Sequence, residues 1–211
     1  MYKNERRMLI VLFVAVVLIL IVYQYAKADD SEWIAYGFDE SFTAFDSPPE
    51  DMAICSMLVS KLSGDKPSAS FVRSQDNKFF SRMSTCLKVS TYAKIMNADR
   101  ALVLAIGWHE SKFKMDAKSH ANAHGPLQVL PKYWCKGKKL KGCNLIESGV
   151  VAINKLVSNY GIKEAPCHYN AGYKCSKSSR RYARRVLATR ARVLQVEQWF
   201  GQWDEDPRWE E

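Results

Sequence analysis

The segment ESKFKMDAKSHANAHGPLQVLP, residues 110–131, indicates the architecture of the chain around it. Its first residue, Glu110, follows residues 101–108, which are apolar on nearly every side, as expected of a helix surrounded by protein. A polar loop follows the acid and contains a glycine turn at Gly125 and an amide at Gln128. An acid that leaves a buried helix among hydroxyl and amide groups suits general-acid attack on the glycosidic bond of a polysaccharide.

Hydrophobic spacing elsewhere predicts a mainly α-helical fold with little strand signal. Apolar residues recur at helical spacing over residues 52–62, 70–96, 148–160 and 180–200. Asp99 is a predicted N-cap for the helix that leads to Glu110. Gly161 is predicted to end the helix over residues 148–160. Residues 114–125 are expected to form a loop or, at most, a small β-hairpin, and residues 131–142 a basic loop.

The N-terminus predicts export. Residues 8–22 are uniformly apolar, basic residues precede them and acids follow, which orients the N-terminus inside and the rest outside. Two fates remain open for residues 1–28: a signal-anchor that crosses the membrane through residues 8–25, or a signal peptide cleaved near Ala28. The expected location is the periplasm or cell envelope, with the chain anchored in the inner membrane or secreted.

The basic balance of the chain favours anionic partners. Lysine and arginine number 31 against 22 acids, a formal net charge of +9. Such a surface attracts cell-wall polymers, acidic lipid head groups or nucleic acid, and an exported chain does not meet nucleic acid. The alternative is that the basic runs simply form solvated faces; they comprise Lys136, Lys138, Lys139 and Lys141, and Arg180, Arg181, Arg184 and Arg185.

All six cysteines lie beyond the export segment, which predicts disulfides. Cys135–Cys143 and Cys167–Cys175 are the favoured local pairs, because their spacings are equal and each brackets a loop. Cys55 and Cys86 then remain as the third pair. The spacings do not match the short Cys-x2-4-Cys step of zinc sites, so no metal is expected.

The position of Glu110 predicts a raised pKa. Apolar neighbours such as Ile106 and Trp108 disfavour the charged carboxylate, and so does the negative end of the helix dipole. A general acid near neutral pH needs such a shift. The alternative is an ordinary surface glutamate at a frayed helix end.

The motifs around Glu110 resemble the lytic transglycosylases. The family pattern Glu-Ser-x-Phe, then Ala-x-Ser-x-x-Gly-Ala-x-Gly-Leu-Met-Gln-x-x-Pro, is matched without a gap by Glu110, Ser111, Phe113, Ala117, Ser119, Ala123, Gly125, Gln128 and Pro131. The pattern Ala-Tyr-Asn-Ala-Gly appears at residues 168–172, and Tyr-x-x-x-Val at Tyr182 and Val186. The resemblance covers about residues 90–195.

The chain departs from this pattern at three places. Asn122 replaces a glycine, but asparagine tolerates a left-handed backbone, so the turn can survive. Pro126 and Leu127 stand where leucine and methionine are usual, which alters the wall of the groove. His168 replaces a small residue and would either touch Glu110 or the substrate, or be structural.

The resemblance implies a lysozyme-like α+β domain that is mainly helical, with at most a small hairpin beside the active-site cleft. It makes Glu110 the acid and then the base, and Tyr182 the residue that steers its protonation. The implied substrate contacts are Ser111, Ser119, Gln128, Tyr169, Asn170 and Tyr182. Each has an alternative role as a polar residue that stabilises a loop, and no cofactor is implied.

The implied reaction uses one acid. Glu110 would protonate the bond between N-acetylmuramic acid and N-acetylglucosamine in peptidoglycan, and the muramic 6-hydroxyl would close a 1,6-anhydro ring. Asp116, Glu147 and Glu164 are available as second carboxylates, but none lies in a matching motif. The alternatives are a hydrolytic muramidase like the goose-type lysozymes and a non-catalytic wall-binding protein. Secretion, conjugation or phage components would be the partners.

Five segments follow from these observations. They are the signal-anchor or signal peptide (1–28), a linker (29–50), the helical N-terminal part of the exported domain (51–88), the lysozyme-like transglycosylase domain (89–200) and an acidic, Trp-containing tail (201–211).

Overall fold

The fold is mainly helical, as the sequence predicts. The computed structural model describes residues 47–60 and 69–204, with side chains described over 47–60 and 78–202. Within these residues there is no strand, and the expected hairpin is reduced to two isolated bridges, which join Lys118 to His124 and His124 to Val129. The helices are α1 (Pro49–Ser60), α2 (Ala69–Ile95), α3 (Arg100–Glu110), α4 (Pro131–Trp134), α5 (Leu145–Ala171) and α6 (Lys177–Asp204).

Helix α3 forms the centre of the domain. Its residues 101–106 are at most 2% exposed, because α2, α5 and α6 all pack against it. The predicted N-cap is present: the Asp99 carboxylate accepts a hydrogen bond of 2.8 Å from the Leu102 backbone N–H. The cap fixes where α3 begins, and its eleven residues then bring Glu110 to its C-terminal end.

Helices α5 and α6 are longer than predicted. Gly161 does interrupt α5, with φ 74° and ψ 163°, but helical structure resumes after it and continues to Ala171. Helix α6 begins three residues earlier than expected, where Ser176 Oγ accepts a hydrogen bond from the Ser179 backbone N–H. Local caps therefore override the boundaries that apolar spacing suggests.

Ion pairs attach α1 to the start of α3. The Asp51 carboxylate is buried in α1 and accepts hydrogen bonds from Arg100 at 2.6 Å and Lys94 at 2.5 Å. Arg100 also pairs with Glu50 of α1 and with Glu197 of α6. A segment that precedes the predicted transglycosylase domain is thus fastened to the helix that carries Glu110.

Three disulfides pair the six cysteines as the sequence favours. Cys55–Cys86 joins α1 to α2, Cys135–Cys143 closes the basic loop after α4, and Cys167–Cys175 attaches the end of α5 to the loop before α6.

In the described part of the chain, no helix is both long and apolar enough to cross a membrane. The predicted segment 1–28, including the membrane span expected at residues 8–25, lies outside the described residues. The predicted linker also lies outside them, except for residues 47–50, and so does the predicted tail, except for residues 201–204, which continue α6.

Candidate active site

Glu110 is the last residue of α3, at the edge of the buried centre. Burial raises the pKa of its carboxyl group above the ordinary value. A hydrogen bond from Tyr182 and the positive charge of Lys112 oppose this shift but do not cancel it. The carboxyl group therefore keeps its proton at a higher pH than an exposed glutamate, which is the property of a general acid.

Tyr182 of α6 is in direct contact with Glu110. Its hydroxyl donates a hydrogen bond of 2.5 Å to Glu110 Oε1, and the residue is only 7% exposed. Burial and the neighbouring carboxylate raise the pKa of Tyr182, so the phenol stays protonated and remains a donor. The structure thus places Glu110, the predicted acid, in contact with Tyr182, the residue predicted to steer its protonation.

The backbone turns sharply after Glu110. Lys112 and Phe113 both have left-handed conformations, with φ of 58° and 60°. Phe113 is fully buried beside α3, where a Cβ added at Gly107 would lie 2.8 Å from the Phe113 ring. Ser111 Oγ donates a 2.8 Å hydrogen bond to the Pro126 carbonyl oxygen, so Ser111 joins this turn to the following loop.

Ser119 and Gln128 hold the loop of residues 117–129 in shape. Ser119 Oγ accepts a hydrogen bond from the Ala123 backbone N–H at 3.1 Å, and Gln128 Nε2 donates to the carbonyl oxygens of Ala117 and Gly125. Asn122, which replaces the family's glycine, has φ 60°, so the tolerance expected of asparagine is used here.

Tyr169 of α5 lies beside the same loop. Its hydroxyl donates a 2.5 Å hydrogen bond to the Leu127 carbonyl oxygen, while the neighbouring Asn170 side chain is exposed. Burial raises the pKa of Tyr169, and the charge of Glu110 raises it further, so Tyr169 is within electrostatic range of the acid. His168 stacks on Tyr160 and donates from Nδ1 to the Gly172 carbonyl oxygen.

Residues 89–190 match the family model of the Transglycosylase SLT domain. This part of the chain is a lytic transglycosylase family domain. The domain indicates cleavage of peptidoglycan of the lytic transglycosylase type. No curated protein and no solved structure matched the chain.

The predicted site residues of the transglycosylase domain fall into two groups. Tyr182 contacts Glu110 directly, and Tyr169 lies within range of its charge. The second group either bonds backbone groups of the loops or is exposed, and comprises Ser111, Ser119, Gln128 and Asn170. Their contacts with substrate stay predictions.

Sequence reasoning missed two residues near the acid of the transglycosylase domain, Lys112 and His109. Lys112 is at the variable position of Glu-Ser-x-Phe, and its Nζ lies 4.1 Å from the centroid of the Trp108 ring. His109 Nε2 is 2.9 Å from Thr189 Oγ1, and burial, followed by the charges of Lys112 and Arg185, lowers the pKa of His109 to about 4. No motif signal marks either residue, since proximity across α3 and α6 is a tertiary property.

One group of potential metal ligands occurs in the described part of the domain and its flanks. It comprises Glu164, Cys167 and Cys175, but the two sulfurs are joined in a disulfide, so neither is a thiolate. The remaining carboxylate of Glu164 pairs with Arg180. This group does not suit a cation.

A cavity of about 360 Å³ lies beside the basic loop rather than at Glu110. Its lining includes Lys118, Lys132 and Lys138 but none of the predicted site residues. The lysines at 136–141 are exposed, which matches a solvated basic face.

Proposed function

We propose that the chain cleaves the β-1,4 bond between N-acetylmuramic acid and N-acetylglucosamine and leaves a 1,6-anhydro-muramoyl end, with Glu110 as acid and then base. The observation that carries this proposal is the pairing of a buried, proton-retaining Glu110 with the Tyr182 hydroxyl. The family domain supplies the substrate class, peptidoglycan.

In the first step, Glu110 donates its proton to the glycosidic oxygen. The bond from muramic C1 to that oxygen breaks, and N-acetylglucosamine leaves with a free 4-hydroxyl. Glu110 is then a carboxylate, which the Tyr182 hydrogen bond stabilises because a charged acceptor binds a donor more strongly. Tyr182 thus assists proton release without accepting the proton.

In the second step, the Glu110 carboxylate removes the proton from the 6-hydroxyl of the same muramic acid. The 6-oxygen attacks C1 and closes the anhydro ring, and Glu110 is again protonated. No water enters, so atoms and protons balance within the substrate. The same group serves as acid and base in turn, as in other glycosidase mechanisms.

The environment of Glu110 supports a one-acid scheme. The groups that shift its pKa besides burial are a phenol and an ammonium, Tyr182 and Lys112, and neither is a carboxylate. The three alternative carboxylates, Asp116, Glu147 and Glu164, are all exposed. A hydrolytic glycosidase usually places a second carboxylate beside the bond.

Substitution of Glu110 tests the proposal directly. We expect Glu110→Gln to lower release of muropeptides from purified sacculi by about 100- to 10,000-fold, the usual contribution of a general acid–base residue. The matched control is Glu147→Gln, which makes the same change at an exposed glutamate and should retain activity.

Mass spectrometry of the released fragments then identifies the reaction. Muramoyl ends lighter by one water are anhydro products and support the proposal. Reducing ends identify a hydrolytic muramidase, and lysis that survives Glu110→Gln excludes Glu110 as the acid.

We further propose that the domain works in the cell envelope, where it opens the wall locally for an envelope-crossing machine or for phage lysis or entry. Three disulfides support an oxidising compartment, and the basic flank and apolar run of residues 3–22 support export with the C-terminus outside. Alkaline phosphatase fused after Glu211 should be active in intact cells. Its inactivity would contradict export.

A further inference from the structure

The cavity of about 360 Å³ beside the basic loop is lined by three lysines from separate segments of the chain. Lys118 belongs to the loop of residues 117–129, Lys132 to α4 and Lys138 to the basic loop after α4. The rest of the described lining contains no acid and comprises Ala121, Asn122, His124, Leu130, Pro131 and Leu140. The wall of the cavity therefore concentrates positive charge.

Local bonds hold this wall in shape. One isolated bridge joins Lys118 to His124, and a second joins His124 to Val129. The Cys135–Cys143 disulfide closes the segment that carries Lys138. The positions from which these lysines extend are thus fixed before any ligand binds, which lowers the entropy cost of binding one.

The three lysines lack acidic partners among the described residues. An ion pair holds Lys94, for example, whereas Lys118, Lys132 and Lys138 form none with a described carboxylate. Lys132 lies over the Tyr133 ring at 4.6 Å, which attracts the ammonium group but does not neutralise its charge. Like charges around one cavity repel each other, so an anion that enters is attracted by all three.

The cavity shares a loop with the proposed active site. Ser111, the residue after Glu110, donates a 2.8 Å hydrogen bond to the Pro126 carbonyl oxygen, and His124 of the cavity lies two residues before Pro126. Consecutive Cα atoms are about 3.8 Å apart, so the Cα atoms of His124 and Ser111 lie within about 16 Å of each other. A polymer held at Glu110 therefore has the cavity within reach of its side groups.

The proposed substrate carries its negative charge on its peptides. The sugar rings and their N-acetyl groups are neutral, whereas the stem peptides attached to muramic acid carry carboxylates. Lysine ammonium groups attract carboxylates as point charges and donate charge-assisted hydrogen bonds to them. The stem peptides are thus the part of the substrate that complements the cavity.

We propose that this cavity binds a carboxylate of a stem peptide on the glycan strand that Glu110 cleaves. The site rests on the proposed function and deepens it, because it makes strands with charged stems the preferred substrate. Lys132 and Lys138 follow Pro131, the last residue of the family motif around Glu110. The preference therefore belongs in part to a segment that this motif does not specify.

The test measures binding to three forms of one preparation of soluble, fluorescein-labelled glycan strands. The first form carries native stems, and the second has its stem carboxyl groups converted to amides with carbodiimide and ammonia. The third is stripped by an amidase and keeps only the carboxylate of the lactyl group. Fluorescence anisotropy gives the Kd of each form for the full chain with Glu110→Gln, which prevents cleavage during the titration.

Two triple variants in this background separate the cavity from the general charge of the basic loop. The cavity variant replaces the three lining lysines and combines Lys118→Gln, Lys132→Gln and Lys138→Gln. The matched control replaces three lysines that do not line the cavity and combines Lys136→Gln, Lys139→Gln and Lys141→Gln. Both variants lose the same charge, and all six side chains are exposed, so folding should be unaffected.

We expect native strands to bind about three- to tenfold more tightly than amidated strands, the range of a few partly exposed charge pairs. The cavity variant should reduce this preference to less than about twofold, whereas the control should keep at least about half of it. Titrations at about 0.15 M ionic strength, where screening acts over about 8 Å, weaken any diffuse attraction that the two variants share. Stripped strands should bind like amidated ones.

The other outcomes contradict the site in distinguishable ways. Equal losses in the two triple variants would show a diffuse basic face instead of a cavity site, and equal binding of native and amidated strands would show no carboxylate recognition. Stripped strands that bind like native ones would make the lactyl carboxylate the ligand and the stem assignment wrong. These binding results do not depend on the chemistry. A wild-type chain that releases no anhydro ends from native strands contradicts the proposed function, whatever the cavity binds.

Discussion

Glu110 experiences two opposed influences from its neighbours. Burial raises its pKa, and the Tyr182 hydrogen bond and the Lys112 charge lower it. Because the proposed reaction uses both the acid and the carboxylate, neither extreme would serve it. The pair of opposing effects keeps both forms accessible in one cycle.

Removal of the Tyr182 hydroxyl separates these influences. Tyr182→Phe keeps the burial but loses the hydrogen bond that stabilises the carboxylate, so the pKa of Glu110 should rise further. Activity requires protonated Glu110 and falls as the pH rises through that pKa. The alkaline limb of the pH profile of kcat/KM should therefore move to higher pH. The maximum should fall by about tenfold or more, the value of a hydrogen bond to a charged group.

Tyr173→Phe is the matched control, since this tyrosine is 85% exposed. It should leave the pH profile unchanged. If the alkaline limb of the Tyr182→Phe profile stays in place or moves to lower pH, Tyr182 does not steer the protonation of Glu110.

His109 makes folding sensitive to acid. Its pKa is lowered from 6.5 to about 4, chiefly by burial, so between these values the unfolded chain binds a proton that the folded chain does not. The free energy of unfolding should thus fall as the pH drops from 6.5 to 4. The ring is half-exposed, so after allowance for screening the expected loss is about 1–2 kcal/mol.

His109→Gln removes this titrating group and should flatten that part of the stability profile. Urea unfolding at closely spaced pH values measures it. An unchanged slope in the variant would show that other groups cause the acid sensitivity.

At the scale of single residues, the sequence predicted the acid and its partner but not most of the other contacts made by the site residues. Glu110 and Tyr182 are 72 positions apart, and the family motifs alone suggested their proximity. Ser111 and Gln128 instead bond backbone carbonyls, because the partners of a polar side chain depend on which loops the fold brings together.

At the scale of the elements, α5 and the loop of residues 117–129 approach each other closely at Gly149 and Leu127. A Cβ at Gly149 would lie 2.5 Å from Leu127 Cδ1 and 2.7 Å from Leu127 Cβ. Leu127 is fully buried, and its carbonyl oxygen accepts the Tyr169 hydrogen bond. A side chain at position 149 would therefore displace the loop that carries Gln128.

Gly149→Ala tests this packing. Helix propensity alone would favour alanine by about 1 kcal/mol, whereas overpacking of a core costs about 1–3 kcal/mol. Because the clash reaches the Leu127 Cβ, which moves only with its backbone, overpacking should win and both stability and kcat/KM should fall.

Urea unfolding and muropeptide release measure the two effects. Gly201→Ala is the control, since nothing lies within 4 Å of its added Cβ and only the gain in helix propensity should remain. A more stable, fully active Gly149→Ala protein would contradict the close approach.

The ends of the helices show which sequence signals are sufficient to locate a helix boundary. Asp99 and Gly161 were recognisable, because a carboxylate cap and a glycine with positive φ are local features. The resumption of α5 after Gly161 was missed: Pro166 and polar residues conceal the helical period, and the segment gains its order from packing and from the disulfide at Cys167. The bridges at His124 were too short to leave a strand pattern.

At the scale of the whole molecule, ion pairs and a disulfide join the matched domain to the helices before it. Helix α1 precedes residues 89–190, yet Asp51 contacts Arg100 at the start of α3, and Cys55 is bonded to Cys86 in α2. Both cysteines are fully buried. The acid of the site therefore depends on a part of the chain that the family motifs do not include.

The two disulfides Cys55–Cys86 and Cys135–Cys143 should contribute unequally to stability. A bond across 31 residues restricts the unfolded chain more than a bond across 8 residues. Loop-closure entropy gives about 4 kcal/mol for the longer loop and about 2.5 kcal/mol for the shorter one. Double substitution to alanine at each pair, followed by urea unfolding, compares them. The Cys55–Cys86 variant should lose more, because it also frees α1 from α2, and equal or reversed losses would mean that α1 contributes little to the fold around Glu110.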